Sequence, residues 1–451
     1  MEKDDSIKQR MEKRNQRIRE RALGHEDHGY SEKTHLIHGR FQNTLWDYSH
    51  HVVPPLSSSV TYRLDTSVRG AQGFAQYGQE GSDDEAPIYI YDRLDEPTRG
   101  MLEQNLAYAE SGDVAICFSS GMAAISAAVC VCANAGEKVL AHHVLYGCTF
   151  SLFKNWLPRF GIKVSGIDLT DREVLLEHLT DDVRAVYFET PVNPDLRLVD
   201  LQAVVDTVKE VNENRPEDER VKVIVDNTFA TPYCQRPLEF GVDLVVGSLT
   251  KNIGGFGTDL GGYVACSRSY RPSLLGFRKD FGGVLSPKSA WPILVYGLPT
   301  LPVRVRQQQQ TAEKVARFLE ELPWVKEVSY PGLESFPQHE LAKKQMVDYE
   351  GLFAPGTLLY FALDDKDGNR GGKLIDYIAE NAYSITMAVS LGQVKTLIEH
   401  PYSMTHSVMS CEESASHLVD AGGLRLSFGL EKGEDIIYDL QEAFRAIGLG
   451  K

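Results

Sequence analysis

Lys251 is the residue whose surroundings most clearly indicate covalent chemistry. It ends the segment Gly247-Ser248-Leu249-Thr250-Lys251, in which an apolar strand pattern runs into small hydroxyl residues. A lysine at the end of a buried strand is costly to keep charged unless its charge is paired or removed. Formation of a Schiff base with an aldehyde removes the ammonium group and gives the amine a catalytic use. A surface lysine is the ordinary alternative, and Lys251 by itself does not exclude it.

Two further segments can serve the same ligand. Asp226 follows the apolar run 221–225, and open α/β sheets bind ligands at the carboxyl ends of their strands. Residues 119–122 read Ser-Ser-Gly-Met and join an apolar strand to an alanine-rich helix, whose N-terminal N–H groups can bind phosphate. Taken separately, an acid that caps a turn and a serine-glycine turn are both common structural features.

The combination of Lys251, Asp226 and residues 119–122 is more specific than any one of them. Pyridoxal 5'-phosphate (PLP) needs a lysine for its aldehyde, a carboxylate for its ring nitrogen and a cup for its phosphate. The carboxylate keeps the ring nitrogen protonated, so the ring can accept electrons from a substrate carbanion. The sequence therefore predicts an enzyme that uses PLP and acts on a small-molecule amino-acid substrate.

The elements around these residues predict an α/β fold. Short apolar segments alternate with helical ones and indicate a buried, mostly parallel, doubly wound sheet. These segments are 114–118, 138–140, 164–167, 185–188, 221–225 and 244–246. A long polar helix over 303–322 opens a smaller C-terminal α+β region. We expect an N-terminal arm over 1–95, a large PLP-binding domain over 96–300 and a C-terminal domain over 301–451.

Composition and charge exclude several other classes. The chain has 451 residues and a formal net charge of −16, which disfavours nucleic acid or an anionic membrane as partner. The apolar runs are shorter than the ~18 residues of a membrane span. The seven cysteines include no C-x-x-C pair, so the sequence predicts neither a metal site nor a disulfide framework. It predicts a cytoplasmic location, where thiols stay reduced. The basic segment 7–21 is typical of a solvated arm or a subunit-bridging helix rather than a targeting signal.

Several separated motifs resemble the PLP enzymes of cysteine and methionine metabolism, the cystathionine γ-synthase-like family, over residues 33–448. The resemblance implies the fold type I, PLP-dependent transferase-like architecture. Residues 91–98 resemble the family's Y-S-R-x-x-N-P-T, with Glu96 in place of Asn. The family's Tyr and Arg reach the phosphate of a neighbouring subunit's cofactor. Tyr91 and Arg93 would do so here, which implies that the N-terminal arm contacts a neighbour in a homo-oligomer. We expect a tetramer built from dimers with shared active sites.

The resemblance also implies the remaining contacts of cofactor and substrate. It assigns the phosphate to Gly121, Met122, Ser248 and Thr250, ring stacking to Tyr146, the ring hydroxyl to Asn193, the ring nitrogen to Asp226, the cofactor aldehyde to Lys251, and the substrate carboxylate to Ser390 and Arg425. The family reads H-S-x-T-K-Y around the lysine, whereas Gly247 and Asn252 flank the motif here. We expect the cofactor to bind despite this departure. The rate and the substrate preference follow less directly from the resemblance to the family.

Three local features favour methionine γ-lyase within this family: Cys148 after Tyr146-Gly147, the pair Lys279-Asp280, and Val389 before the serine. We predict γ-elimination that releases α-ketobutyrate, ammonia and a thiol. The lysine would act as the base, and Tyr146 as the general acid that protonates the leaving group. The ordinary alternatives are a buried small residue for Cys148 and a surface ion pair for Lys279 and Asp280.

Other functions remain open from the sequence. The nearest is γ-replacement on an O-acyl-homoserine, of the cystathionine γ-synthase or O-acetylhomoserine sulfhydrylase type, and a cystathionine lyase is a further one. An aminotransferase is more distant. A noncatalytic α/β binding protein belongs to a different class, and Lys251, Asp226 and Arg425 argue against it.

Overall fold

The computed structural model describes residues 31–38, 52–79, 87–365, 369–404 and 420–450. The basic segment 7–21, the acidic loop 81–85 and Cys411 therefore lie outside the described residues. The described part of the chain contains two β-sheets, one of seven strands and one of five. No helix within it is both long and apolar enough to cross a membrane.

The larger sheet has the spatial order β1-β7-β6-β5-β4-β2-β3. Its strands are β1 Val114–Phe118, β2 Lys138–His142, β3 Lys163–Ile167, β4 Val183–Glu189, β5 Lys222–Asp226, β6 Leu244–Ser248 and β7 Gly262–Cys266. Strands β2 to β6 pair in parallel, whereas β7 is antiparallel to both β1 and β6. The predicted, mostly parallel sheet is thus present.

Both faces of this sheet are buried, which explains why its strands are continuously apolar. Successive side chains of a strand point to opposite faces. Ile224 accordingly packs in one core cluster, together with residues of the helix Gly121–Cys132. Its neighbours Val223 and Val225 pack in a second cluster, together with the helix Leu201–Asn212.

The smaller sheet has the order β10-β11-β12-β9-β8. Its strands are β8 Val325–Ser329, β9 Leu358–Leu363, β10 Ile385–Met387, β11 Thr396–Glu399 and β12 Gly423–Ser427. Only β10 and β11 pair in parallel; the other described pairs of this sheet are antiparallel. Helices Asn369–Asn381 and Gly433–Ala446 bury their apolar sides in the same cluster as its strands, giving the predicted α+β arrangement.

The long helix predicted over 303–322 spans Leu298–Glu320. It begins earlier because a proline in the first turn needs no N–H partner, so Pro299 does not prevent helix formation. Leu301 near its start packs with the larger sheet's cluster, and Leu319 near its end packs with the smaller sheet's cluster. The boundary predicted at residue 300 therefore falls within a shared helix, and the domain limits stay predictions.

The helices of the described residues are Glu32–His38, Ser67–Gln76, Pro97–Ala109, Gly121–Cys132, Gly147–Ser151, Arg172–His178, Leu201–Asn212, Thr231–Cys234, Arg271–Phe281, Pro287–Pro292, Leu298–Glu320, His339–Gln345, Asn369–Asn381 and Gly433–Ala446. Wider, π-type turns occur at Leu152–Trp156, Leu249–Ile253 and Ile293–Gly297. Single 3₁₀ turns occur at Leu157–Phe160, Glu217–Glu219, Pro237–Phe240 and Arg268–Tyr270.

Candidate active site

A cavity of about 410 Å³ lies at the carboxyl ends of β4, β5 and β6 and extends to the smaller sheet. Its position is the one expected for a ligand of an open α/β sheet, and its volume suits a small molecule. Ten residues predicted from the sequence line it: Gly121, Met122, Tyr146, Asn193, Asp226, Ser248, Thr250, Lys251, Ser390 and Arg425. Residues more than 300 positions apart in the chain are thus brought together.

Lys251 enters the cavity from the distorted turn Leu249–Ile253 that follows β6. Its backbone is not helical (φ −90°, ψ −139°), which breaks the turn at the lysine. The amine Nζ donates a hydrogen bond of 2.8 Å to Ser390 Oγ. Burial, and then the nearby charge of Arg425, lower the pKa of Lys251 to about 8. Roughly a tenth of the amine is therefore neutral at pH 7, far more than for an ordinary lysine, and the neutral form is the one that reacts with an aldehyde.

The unusual neighbours of Lys251 have a packing explanation. A Cβ atom on Gly247 would lie 2.4 Å from Cε1 and 2.6 Å from the hydroxyl of Tyr263, which occupies the space of a side chain at position 247. Asn252 is buried, and its carbonyl accepts a 2.7 Å hydrogen bond from Arg304. A Cβ on Gly392 would lie 2.3 Å from the backbone nitrogen of Asn252. Neither Gly247 nor Asn252 lines the cavity, so both departures from the family motif alter the packing behind the lysine.

Two acids, the buried Glu189 and the half-buried Asp226, lie at adjacent strand ends, where they are register partners. Asp226 accepts hydrogen bonds from the Thr228 N–H (2.9 Å) and the Tyr187 hydroxyl (3.4 Å). Burial raises the pKa of both acids, and the charge of Asp226 raises that of Glu189 further. A cation bound between the strand ends would be stabilised here because it pairs with a carboxylate in a dry site.

Glu189 lines the cavity and was missed by sequence reasoning. It accepts a 2.7 Å hydrogen bond from the Tyr146 N–H and so fixes the start of the turn that carries this tyrosine. A signal for it was present, because Glu189 ends an apolar strand in the same way as Asp226 does.

The helix Gly121–Cys132 presents its N-terminus to the cavity. Ser120 caps it by accepting a hydrogen bond of 3.2 Å from the Ala123 N–H. A Cβ on Gly121 would come within 3.2 Å of Ser248 Cβ, and one on Gly262 would lie 2.3 Å from the Ser120 carbonyl oxygen. The glycines thus form a backbone cradle at the positive end of a helix, next to Ser248. A phosphate group fits this cradle.

Thr250 is engaged with backbone in this structure. Its hydroxyl accepts from the Gly261 N–H at 3.1 Å and lies 3.3 Å from the carbonyl oxygen of the same residue. The cradle, the half-buried Asp226 and the Lys251 amine together fit the phosphate, ring nitrogen and aldehyde of PLP.

Arg425 lies on β12 at the far side of the cavity and is buried. Its guanidinium donates to Asn193 Oδ1 at 2.8 Å, to the Ser390 carbonyl at 3.0 Å, and forms an ion pair of 3.0 Å with Glu399. Its Nε has no partner among the described residues. Glu399 also lines the cavity and was missed, since only the pairing of β11 with β12 places it opposite Arg425.

Tyr146 and Cys148 stand at the mouth of the cavity. Tyr146 precedes the short helix Gly147–Ser151, and 42% of its surface is exposed. Burial of the remainder and a hydrogen bond with Cys148 raise the pKa of the tyrosine. Cys148 is exposed, so the alternative of a buried small residue is wrong for this chain, but it does not line the cavity among the described residues.

Besides Cys148, four predicted residues do not line the cavity, and contacts join them to one another: Tyr91, Arg93, Lys279 and Asp280. The Arg93 guanidinium donates to the Lys279 carbonyl and lies 5.6 Å from the centroid of the Tyr91 ring. Lys279 and Asp280 form an exposed ion pair of 3.4 Å. The structure thus places these four residues together but away from the cavity of their own chain.

Glu96 explains why the Y-S-R-x-x-N-P-T motif tolerates a glutamate. It caps the helix Pro97–Ala109 and accepts hydrogen bonds from the N–H groups of Thr98 (2.9 Å) and Arg99. An asparagine oxygen would serve the same purpose at this position. Burial raises the pKa of Glu96 to about 7.

Comparisons with known proteins agree with this geometry. The family described as Cys/Met metabolism PLP-dependent enzyme matches residues 33–445. The L-methionine gamma-lyase of Porphyromonas gingivalis is 40% identical over 395 residues, which cover 87% of this chain and 92% of that protein. The cystathionine beta-lyase of Bacillus subtilis is 34% identical over 421 residues, covering 93% and 98%.

A solved structure shows the same fold. The crystal structure of cystathionine gamma-lyase from Lactobacillus plantarum, complexed with L-serine, has a TM-score of 0.80 at 28% identity and covers 93% of this chain and 100% of that one. The predicted fold class, the dependence on PLP and the enzymatic nature of the protein are thereby confirmed. The chain belongs to the family of PLP-dependent enzymes of cysteine and methionine metabolism, and is related throughout its matched length to carbon–sulfur lyases.

Proposed function

We propose that the protein catalyses γ-elimination on a sulfur-containing amino acid, with methionine as the substrate and α-ketobutyrate, ammonia and methanethiol as products. The observation that carries this proposal is the convergence of Lys251, Asp226 and Arg425 in one cavity. The identity of 36–40% to several L-methionine gamma-lyases favours methionine among the possible substrates.

The cofactor would be held by residues at both ends of the cavity. Gly121, Met122 and Ser248 would bind its phosphate at the helix N-terminus, and Thr250 would join them after releasing Gly261. Asp226 would pair with the ring nitrogen, Asn193 would lie near the ring hydroxyl and Tyr146 would stack on the ring. When bound, PLP withdraws electrons from the substrate and stabilises negative charge at its α-carbon.

Arg425 would bind the α-carboxylate of the substrate. A guanidinium is planar and donates two parallel hydrogen bonds to a carboxylate, and the buried Nε of Arg425 is the donor without a protein partner. Ser390 would contribute a second contact. A carboxylate fixed at this point fixes the orientation of the α-carbon relative to Lys251.

Lys251 and Tyr146 would move the protons. The neutral Nζ of Lys251 would take the α-proton, pass it to the bound cofactor and, neutral again, take a proton from the β-carbon. The Tyr146 hydroxyl donates its proton to the departing sulfur. Its raised pKa keeps this hydroxyl protonated at neutral pH, as a general acid requires. Val389 is exposed, lines the cavity and offers an apolar surface to a thioether side chain.

The test is a product assay on the holoenzyme. Incubation with methionine is expected to yield α-ketobutyrate and methanethiol, and Lys251→Ala is expected to abolish both products together with the visible absorbance of the bound cofactor. Absence of both products from wild-type protein that carries its cofactor would remove the assignment. A purified protein that stays colourless with added PLP would support a noncatalytic binding protein instead.

Cystathionine cleavage and γ-replacement are the second candidates. The cystathionine beta-lyase and cystathionine gamma-lyase of Bacillus subtilis are 34% and 36% identical to the chain. Cystathionine supplied as the sole substrate tests the first candidate, because its cleavage yields homocysteine or cysteine. O-acetylhomoserine supplied with sulfide separates the second, because replacement yields homocysteine without release of ammonia.

We also propose that the active sites are shared between subunits of a homotetramer. Arg93 contacts Lys279, so a neighbour that received Tyr91 and Arg93 at its cavity would receive Lys279 and Asp280 with them. This arrangement gives all four predicted residues a place near substrate or cofactor. A cytoplasmic location is consistent with the six described cysteines, which are free.

A further inference from the structure

Glu399 forms a buried ion pair that has no part in the reaction proposed above. It lies on β11 directly opposite Arg425 on β12, with Oε1 at 3.0 Å from the guanidinium. Its side chain is 3% exposed and that of Arg425 is 4% exposed. Burial of a carboxylate is costly unless its charge is paired, and the charge of Arg425 offsets this cost for Glu399.

Glu399 also contacts Ser390, whose backbone is strained. Ser390 has φ 127°, a left-handed conformation that is unfavourable for a residue other than glycine. Its carbonyl accepts a hydrogen bond from Arg425 and its hydroxyl accepts one from Lys251, while its N–H opposes the rise that burial causes in the pKa of Glu399. Three side chains thus hold the segment that would contact the substrate, and Glu399 binds both Ser390 and Arg425.

The charges in this part of the cavity are unequal. Arg425 and Lys251 face the single carboxylate of Glu399. A substrate carboxylate on Arg425 would share the guanidinium with Glu399, and the two anions would repel each other in a site of low dielectric constant. Glu399 therefore orients the guanidinium at a cost in affinity for the very group that the arginine recognises.

We propose that Glu399 is a positioning residue that orients Arg425 and Ser390 and, through its negative charge, limits the affinity of the site for the substrate carboxylate. This inference rests on the proposed function of Arg425. It predicts opposite effects for two substitutions. Glu399→Gln keeps the hydrogen bonds and removes the charge, whereas Glu399→Ala removes both.

The experiment measures binding of 4-(methylthio)butanoate to the holoenzyme by calorimetry. This probe is methionine without its amine, so it cannot be turned over. Glu399→Gln is expected to lower its Kd about tenfold, and Glu399→Ala to raise it, because the guanidinium is no longer held. The corresponding uncharged amide serves as the ligand control, and its Kd is expected to stay unchanged in Glu399→Gln.

Glu431→Gln is the matched control variant. Glu431 accepts hydrogen bonds from the N–H and hydroxyl of Thr396, the first residue of β11, but does not line the cavity. Its substitution removes one charge near the same strand, and the Kd of the carboxylate is expected to stay within twofold of wild type. Retention of the visible absorbance of the cofactor shows that each variant is folded.

An unchanged or raised Kd in Glu399→Gln would overturn the inference and leave Glu399 a purely structural ion pair. If neither the wild-type holoenzyme nor Glu399→Gln binds the carboxylate more tightly than the amide, Arg425 does not recognise a carboxylate and the inference is overturned as well. If Glu399→Ala does not fold, the Kd of the carboxylate in Glu399→Gln still tests the inference, because a lower value supports it and any other value contradicts it. The two proposals can fail separately. If Glu399→Gln binds the carboxylate more tightly but the wild-type protein converts no amino acid, the role of Glu399 is supported and only the lyase proposal is refuted.

Discussion

The pKa of Lys251 is the property that most directly connects residue and function. Burial lowers it to about 8, with a further contribution from Arg425, while Glu399 opposes the shift. The protein thus holds its amine in a partly neutral state before any ligand arrives. The hydrogen bond to Ser390 fixes the direction of that amine toward the cavity.

A pH titration of amine reactivity tests this property. In the cofactor-free protein, acetylation of Lys251 by acetic anhydride, followed by mass spectrometry, is expected to rise with pH, with its midpoint near the Lys251 pKa of about 8, and to level off above it. The neutral amine is the reactive form, so the rate falls as pH drops through the pKa. Exposed lysines provide an internal reference, since their ordinary pKa is about 10.4. A midpoint for Lys251 near that reference would show that its environment leaves the amine charged.

Asp226 is expected to matter for turnover more than for cofactor binding. Asp226→Asn keeps the hydrogen bond from the Thr228 N–H but removes the negative charge from the place proposed for the partner of the ring nitrogen. We expect the holoenzyme to form and kcat to fall at least about 100-fold, a loss typical of a removed electrostatic contact. Asp243→Asn is the control, because Asp243 precedes β6 at the opposite end of the sheet. Comparable kcat losses in both variants would mean that Asp226 acts only on stability.

Strand β6 shows how an element carries the site. Its last residue, Ser248, reaches the cradle, and the turn after it presents Lys251. The strand passes close to β7 because Gly247 leaves room for the Tyr263 ring, whose hydroxyl bonds to the buried Glu110. Gly247 and Tyr263, which are register partners, therefore form one packing unit.

Gly247→Ala tests this packing unit. The added methyl group meets the Tyr263 ring, and we expect a loss of about 1–3 kcal/mol in the free energy of unfolding, as for other overpacked cores. Denaturant unfolding of the Gly247→Ala, Tyr263→Ala and double variants measures the coupling, and the double variant should lose less than the sum of the two. Gly276→Ala is the control, since a Cβ there meets nothing within 4 Å. Strict additivity of the first two variants would contradict a shared space.

At the scale of the whole molecule, the site of one chain is incomplete under the proposed assembly. Tyr91 and Arg93 are remote from the cavity of their own chain, and the helix Leu298–Glu320 ties the two sheets that border it. Subunit association would thus complete the cofactor site, whereas the packing within a chain would set the distance between Lys251 and Arg425.

Complementation between two inactive variants tests the sharing of sites. Lys251→Ala and Arg93→Ala, each inactive, are unfolded, mixed in equal amounts and refolded. About half of the refolded dimers then contain one chain of each variant, and each of these has one intact site out of two. About a quarter of the wild-type activity is therefore expected from a two-fold symmetric dimer. Lys251→Ala mixed with Asp226→Asn is the control, because both changes fall in the same cavity. Equal activity in the two mixtures would show that each chain builds its own site.

The sequence by itself determined the α/β fold and ten of the residues that line the cavity. Apolar strands followed by Asp226 and Lys251 are local patterns, and a parallel sheet brings its strand ends together by its own geometry. The start of the long helix was displaced from 303 to 298: Pro299 lies in the first turn, where a proline does not prevent helix formation, and the helix also continues through Pro302. Methionine as substrate and the tetramer remain predictions.

Only the tertiary structure decided the contacts that join distant segments. Glu399 lies opposite Arg425 because β11 pairs with β12, and Tyr263 fills the space beside Gly247 because β7 pairs with β6. Nothing near either residue in the chain indicates these partners. Local patterns specify which strand ends carry chemistry, whereas register and packing between strands determine which charges and volumes meet, since these depend on residues far apart in the sequence.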